Sequence, residues 1–261
     1  MAAMRFIFAL ILFSAGALLG AFGLIQRINK VNQERDNIAL LEAAREVQQR
    51  FEQLRGGIAA QLQGFSTYLE NDRDFAMKLL IEGDRAASEI TQKAPAFMPA
   101  MGFSLLDIAD SSSVLLSSGH FPAEVGNSAA FAPMASDSLP VLCNDNIGGQ
   151  QHLTLQGVKR GTIAGVPIYC SGGVVMDGEL LKKLQPTPQS RILLSQGDLK
   201  VGYETIQSIS PLQDNRVIIN DTTYAATTVS LPFSGEGEAP QIIVVQPLGS
   251  KLTARSLLPV F

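Results

Sequence analysis

Seven side chains in this sequence have types that could do chemistry: His120 and His152, Cys143 and Cys170, and Asp107, Arg160 and Tyr169. The two histidines are the only ones in the chain, and a long stretch separates them. They lack local metal-ligand spacing, so no zinc site is expected. His120 ends the run "VLLSSGH", where it either contacts an anionic ligand, switches charge, or hydrogen-bonds its neighbours in a loop. His152, in "GGQQHLTL", carries the same ambiguity. Asp107, Arg160 and Tyr169 lie on or beside strand-like apolar runs. An arginine there could grip a carboxylate in bidentate fashion, and a tyrosine offers a ring face and a hydroxyl. Equally, Asp107 starts a turn and Arg160 points at water. The cysteines have two readings as well. In an oxidising compartment a bridge closing a loop of about 27 residues contributes roughly 3 kcal/mol. Otherwise they are two buried thiols that behave as small apolar groups.

Beyond these candidates, reactive sets are missing. There is no GxxxxGK[ST] and no strand-linked GxGxxG, so nucleotide binding has no basis. "GFSTY", from Gly64 to Tyr68, lacks the final glycine of a nucleophile elbow. With no convincing nucleophile or acid–base pair, neither an enzyme nor a cofactor is expected. Net charge is −4, and no basic cluster could follow a phosphate backbone, which argues against nucleic acid.

The elements that must position these residues follow from the patterning. The segment "FIFALILFSAGALLGAFGLI", Phe6–Ile25, carries no charge. At about 1.5 Å per residue its roughly 20 residues span a bilayer core of about 30 Å. A cleaved signal peptide is the alternative, but its apolar core of about 7–15 residues is shorter. Arg5 before the span and Arg27 and Lys30 after it do not settle orientation. A long chain behind one N-terminal apolar segment is most simply exported, which puts residues 1–5 in the cytoplasm.

After this anchor, apolar residues recur at Leu40, Ala44, Val47, Phe51, Leu54, Ile58, Leu62, Phe65 and Leu69. Steps of three and four predict one helical face, with its early part near a heptad seam. Gly56 and Gly57 interrupt helix propensity and mark a change from stalk to packed helix. A second helix is predicted over 72–93, ended by the prolines of "APAFMPAMG". Strand-like runs follow at "FSLLDI", "VLLSS", "HLTLQGVKR", "GTIAGVPIYC" and "GGVVM". A short helix, "GELLKKL", and a boundary at "QPTPQ" come next. The last strand-like runs are "RILLS", "RVIIN", "TYAATTVSLPF" and "QIIVVQPL". The expected fold class is α+β: a transmembrane helix and long helical stalk, a mixed sheet domain, a short helix and a smaller sheet domain. No repeat period is visible in the sequence.

Three passages carry a resemblance to a known family. "FSLLDIADSSSVLLSSGHFPAEVG" looks like its first hairpin, and "GVPIYCSGGVVMDGELLKKL" resembles its distal closing strands and connector helix. "TYAATTVSLPF" with "QIIVVQPL" looks like its proximal closing hairpin. Together they resemble the extracytoplasmic double Cache sensor regions of bacterial receptors, especially membrane histidine kinases, over most of residues 26–250. The resemblance implies two PAS-like antiparallel-sheet modules, a membrane-distal one at 94–188 and a membrane-proximal one at 189–250, behind helices at 26–93. It places Asp107, His120, Arg160 and Tyr169 as ligand-binding candidates in the distal module. The aromatic-and-arginine signature of the amino-acid-binding subgroup is not visible between Tyr68 and Tyr169, so recognition of a free amino acid is not expected. Receptors of this kind continue into a further span and an output domain. The chain is therefore either part of a longer receptor, which residues 251–261 favour by reading as the start of a helix, or a stand-alone sensor that signals through a partner.

The implied function is extracytoplasmic sensing of a small solute from a bacterial inner membrane. The signal passes through the N-terminal helix of a homodimer. The alternative is a membrane-anchored structural or assembly protein of the cell envelope. A ligand that inverts a 1:99 equilibrium of two helix packings needs about 5.5 kcal/mol of differential affinity.

Overall fold

The apolar stripe makes one continuous helix, α1 (Ala2–Glu70). The computed structural model describes residues 2–129, 131, 139–197, 199–202, 210, 215–235 and 237–248; the side chains of 2–19, 21 and 199 are outside this description. The apolar side chains of Phe6–Ile25 therefore lie largely outside the described residues, as do residues 251–261. Among the described residues no helix is long and apolar enough to cross a membrane.

Leu40, Ala43, Val47, Phe51, Ile58, Leu62, Phe65 and Leu69 are all buried, so packing begins at Leu40, well before the glycine pair. Gly56 and Gly57 interrupt nothing, because the helix runs straight through them. Polar contacts mark successive levels along α1. Gln246 reaches the Ala39 carbonyl, Arg50 the carbonyls of Lys183 and Gln185, Arg55 the Pro140 carbonyl, and Glu70 accepts from the Thr162 N–H. One apolar cluster follows the helix past both sheets.

The second helix differs from its expected course over 72–93. It divides into α2 (Arg73–Ala76), a π-helical segment Met77–Glu82 and α3 (Ser88–Thr91). Gly83, at φ 66°, ends the π-segment in the left-handed region open to glycine. The prolines of "APAFMPAMG" are inside a helix, α4 (Lys93–Met101), rather than after one. Pro95 sits in the first turn, where its missing N–H costs nothing, and Gly102 at φ 66° closes the helix.

The first sheet comprises β1 (Leu105–Asp110), β2 (Leu115–Ser118), β3 (Val141–Ile147), β4 (Gln150–Ile163) and β5 (Val166–Val175), in the order β2-β1-β5-β4-β3. Helix α5 (Gly178–Leu184), capped by the Asp177 carboxylate on the Leu180 N–H, leads to the second sheet. That sheet comprises β6 (Arg191–Gln196), β7 (Leu199–Gly202), β8 (Arg216–Ile219), β9 (Thr222–Ser230) and β10 (Gln241–Pro247), in the order β7-β6-β10-β9-β8. Every pairing between these strands, among the described residues, is antiparallel. The two orders are the same path offset by five strands, so the modules are a structural duplication without a visible sequence period. They are also joined at an edge. The Leu142 N–H donates to Pro232, and the Ser234 N–H donates to Leu142.

Candidate functional site

Antiparallel register decides which side chains share a face, because directly opposed residues point the same way. One face of the distal sheet meets the helices. Leu62 of α1 lies beside Gly157, and Ser66 and Glu70 lie beside Gly161. The other face holds Asp107, opposite Ser118 on β2 and Ser171 on β5, and Tyr169, opposite Ala109 on β1 and Arg160 on β4. Gln156, Thr154, Cys143, Asp145 and His152 belong to it by the same pairing.

The four predicted residues thus share one sheet region but not one cluster. His120, just past β2, brings Nδ1 to 3.5 Å from Asp107 Oδ1. Tyr169 is half-buried against Ala109, Leu115, Ala129 and Phe131. Arg160 is exposed beside it, two strands away from Asp107.

Asp107 is the unusual member. It is only 8% exposed, and its Oδ1 has no hydrogen-bond partner. Burial pushes its carboxyl up to about 6; His120 and Ser118 draw it back, while Asp145 and Glu124 push it further. A buried carboxylate short of partners is costly, so the position is poised to receive a donor. Ser118 Oγ accepts from the Phe121 N–H at 3.0 Å, which leaves its own hydroxyl hydrogen for the carboxylate that it draws down.

Sequence reasoning missed the neutral part of this face. Gln156 donates to Ser171 Oγ at 2.6 Å and accepts from Cys143 Sγ at 3.0 Å. These groups form a polar chain from β3 toward Asp107. Their signal was the alternation of small polar and apolar residues in "VLCNDNI", "LTLQGV" and "IYCSGG".

The cysteine bridge does not form; both thiols are free. Cys143 pairs with Thr154 and Cys170 with Lys159 on the intervening strand β4. Five residues of that strand, about 16 Å, separate the two levels, and the side chains point to opposite faces. No disulfide spans such a gap. Burial raises both thiols, Cys170 to about 12 with Glu70 adding to the effect.

A cleft of about 570 Å³ lies away from this face, at the junction of the modules. Arg50, Lys182, Gln185, Arg191 and Tyr224 line it together with the prolines of the linker. Among the described residues no group of three or more potential ligands could hold a metal ion.

No protein-family model matches the chain, and no curated protein matches it. Solved structures do. The chain is similar to the periplasmic domain of LuxQ from Vibrio cholerae, at 12% identity and TM-score 0.54, covering 80% of this chain and 98% of that one. It is also similar to the ligand-binding domain of the Campylobacter jejuni chemoreceptor Tlp3 in complex with L-valine, at 8% identity and TM-score 0.55, covering 84% and 95%. The same sensory domain with isoleucine bound gives 8% identity and TM-score 0.54, again over 84% and 95%. The fold is therefore that of the double Cache sensor regions, with two PAS-like sheet modules along one long helix.

Proposed function

We propose that this chain is the extracytoplasmic sensing region of a transmembrane signalling receptor, of the histidine-kinase type, and not an enzyme. The distal module, 94–188, binds a small solute on the sheet face turned away from the helices. The proximal module, 189–250, and α1 carry the response toward the membrane. The observation that supports this most is Asp107: a buried carboxylate whose Oδ1 accepts no hydrogen bond and faces His120 at 3.5 Å, on a polar face, in the fold of a chemoreceptor domain described with valine or isoleucine bound. His120, Tyr169 and Arg160 complete the proposed contact set. Asp107, Asp145 and Glu124 together favour a solute that presents N–H donors or a positive charge.

Phe6–Ile25 anchors the chain in a bacterial inner membrane, with the sheets in the periplasm. Before Leu40 the described side chains of α1 are mostly exposed, and Leu24, Val31 and Ile38 recur every seven residues at 62%, 42% and 57% exposure. That spacing supports a parallel pairing of two α1 helices, the route by which the solute's preference for one packing reaches the membrane. The test is thermal unfolding of the full chain in detergent against a panel of amino acids, amines and carboxylates. A saturable upward shift, lost in Asp107→Asn, supports the reading; no shift with any member removes it.

A further inference from the structure

The junction cleft is a separate feature, built from residues that the distal face does not use. Three cations reach it from three elements: Arg50 from α1, Lys182 from α5 and Arg191 from β6. Among the described residues that line it none is acidic, and Arg50 is paired with the Glu46 carboxylate at 2.7 Å.

Its walls are preorganised. Arg50 donates through Nη1 to the Lys183 and Gln185 carbonyls, at 3.3 and 2.6 Å, and through Nη2 to Glu46 at 2.7 Å. These bonds use three of the five donors of a guanidinium and fix its plane. Arg191 lies over the Tyr224 ring at 5.4 Å, which holds its guanidinium at the cleft wall. Between them the linker is stiffened by Pro186 and Pro188, and the Gln185 side chain donates to the Thr187 and Ser190 carbonyls.

We infer that this cleft is a binding site for a small polyanion, a molecule carrying two or more carboxylate or phosphate groups. The volume falls within the range of about 300–1,000 Å³ typical of small-molecule sites, larger than a single oxyanion needs. Cations from separate elements suit anionic groups set apart on one molecule, and two of the three are arginines able to bind in a planar fork. Because the cleft joins α1, the linker and the proximal sheet, its occupant clamps the modules together. Anion occupancy thereby biases the same helix that the distal solute acts on.

The test is calorimetric titration of the full chain in neutral detergent with pyrophosphate and, separately, citrate, at ionic strength held constant with chloride. Saturable binding of at least one, with a dissociation constant of about 1 mM or tighter, is expected. The pair Lys182→Gln and Arg191→Gln, both at the cleft surface, weakens it by about tenfold or more. Asp107→Asn retains saturable anion binding, which separates this site from the distal one. Absence of binding by both anions overturns the inference. So does binding that survives the double substitution in a variant whose melting temperature matches the parent.

Discussion

Nδ1 of His120 lies 3.5 Å from Oδ1 of Asp107, close enough for charge to be felt and too long for a strong hydrogen bond. The carboxylate is therefore left with burial as its dominant influence, and its carboxyl titrates near 6 rather than near 3.8.

Stability should carry the mark of that shift. A folded-state value raised above the unfolded one favours folding while the group is protonated, and the advantage disappears as pH rises through about 6. Ionised Asp107 thus weighs against the fold at neutral pH. Asp107→Asn is expected to be more stable than the parent at pH 7.5, relative to pH 4, by on the order of 2 kcal/mol. Urea unfolding of both proteins across this range measures it. A difference independent of pH would show that Asp107 is satisfied by another group.

The two kinds of glycine in the chain should respond in opposite directions. A Cβ at Gly173 would overlap the Leu155 carbonyl oxygen inside the β4–β5 pairing. Gly173→Ala is expected to lose about 3 kcal/mol or more. At Gly56 and Gly57 nothing lies within 4 Å of such an atom. Alanine at either position should therefore gain about 1 kcal/mol by helix propensity alone. Thermal melts of the three variants decide this, and a loss at Gly56 or Gly57 would point to a partner pressed against that helix face.

The thiols should label in a fixed order. Cys170 is fully buried on the helix face, whereas Cys143 is half-buried on the opposite face. Iodoacetamide on the folded chain should modify Cys143 first and Cys170 only after unfolding, with no disulfide-linked peptide by mass mapping. Equal labelling rates would contradict the assignment of faces.

Glutamate at Val31 and Ile38 should break pairing of α1 without touching the sheets, since both positions are exposed and precede the buried stripe. Light scattering of the full chain in detergent should show a dimer for the parent and a monomer for the double variant. The same mass for both would place any pairing elsewhere.

Much of the architecture was legible because it is written locally. The stripe from Leu40 to Leu69 is a period-3.6 pattern, and both it and the helix appear. Strand β3 was missed because "VLCNDNI" carries two asparagines and an aspartate, residues depleted in strands. The expected break after Arg160 does not occur. Strand β4 runs on to Ile163, and Gly161 makes room for Ser66 and Glu70 of α1 instead of turning the chain. The reversal falls at Ala164 and Gly165, both with positive φ.

What the sequence determined by itself was a class of fold: a long apolar-striped helix and alternating strands. What only the tertiary structure decided was company. Alternation says that a strand has two faces, but not which one meets the helix or which distant residue stands opposite. Register across β1, β5 and β4 joins Asp107, Ser171 and Gln156 on one face, sends Cys143 and Cys170 to opposite faces, and repeats the strand order in the second module. Those pairings are made by backbone hydrogen bonds between segments far apart in the chain, and no local window of residues contains them.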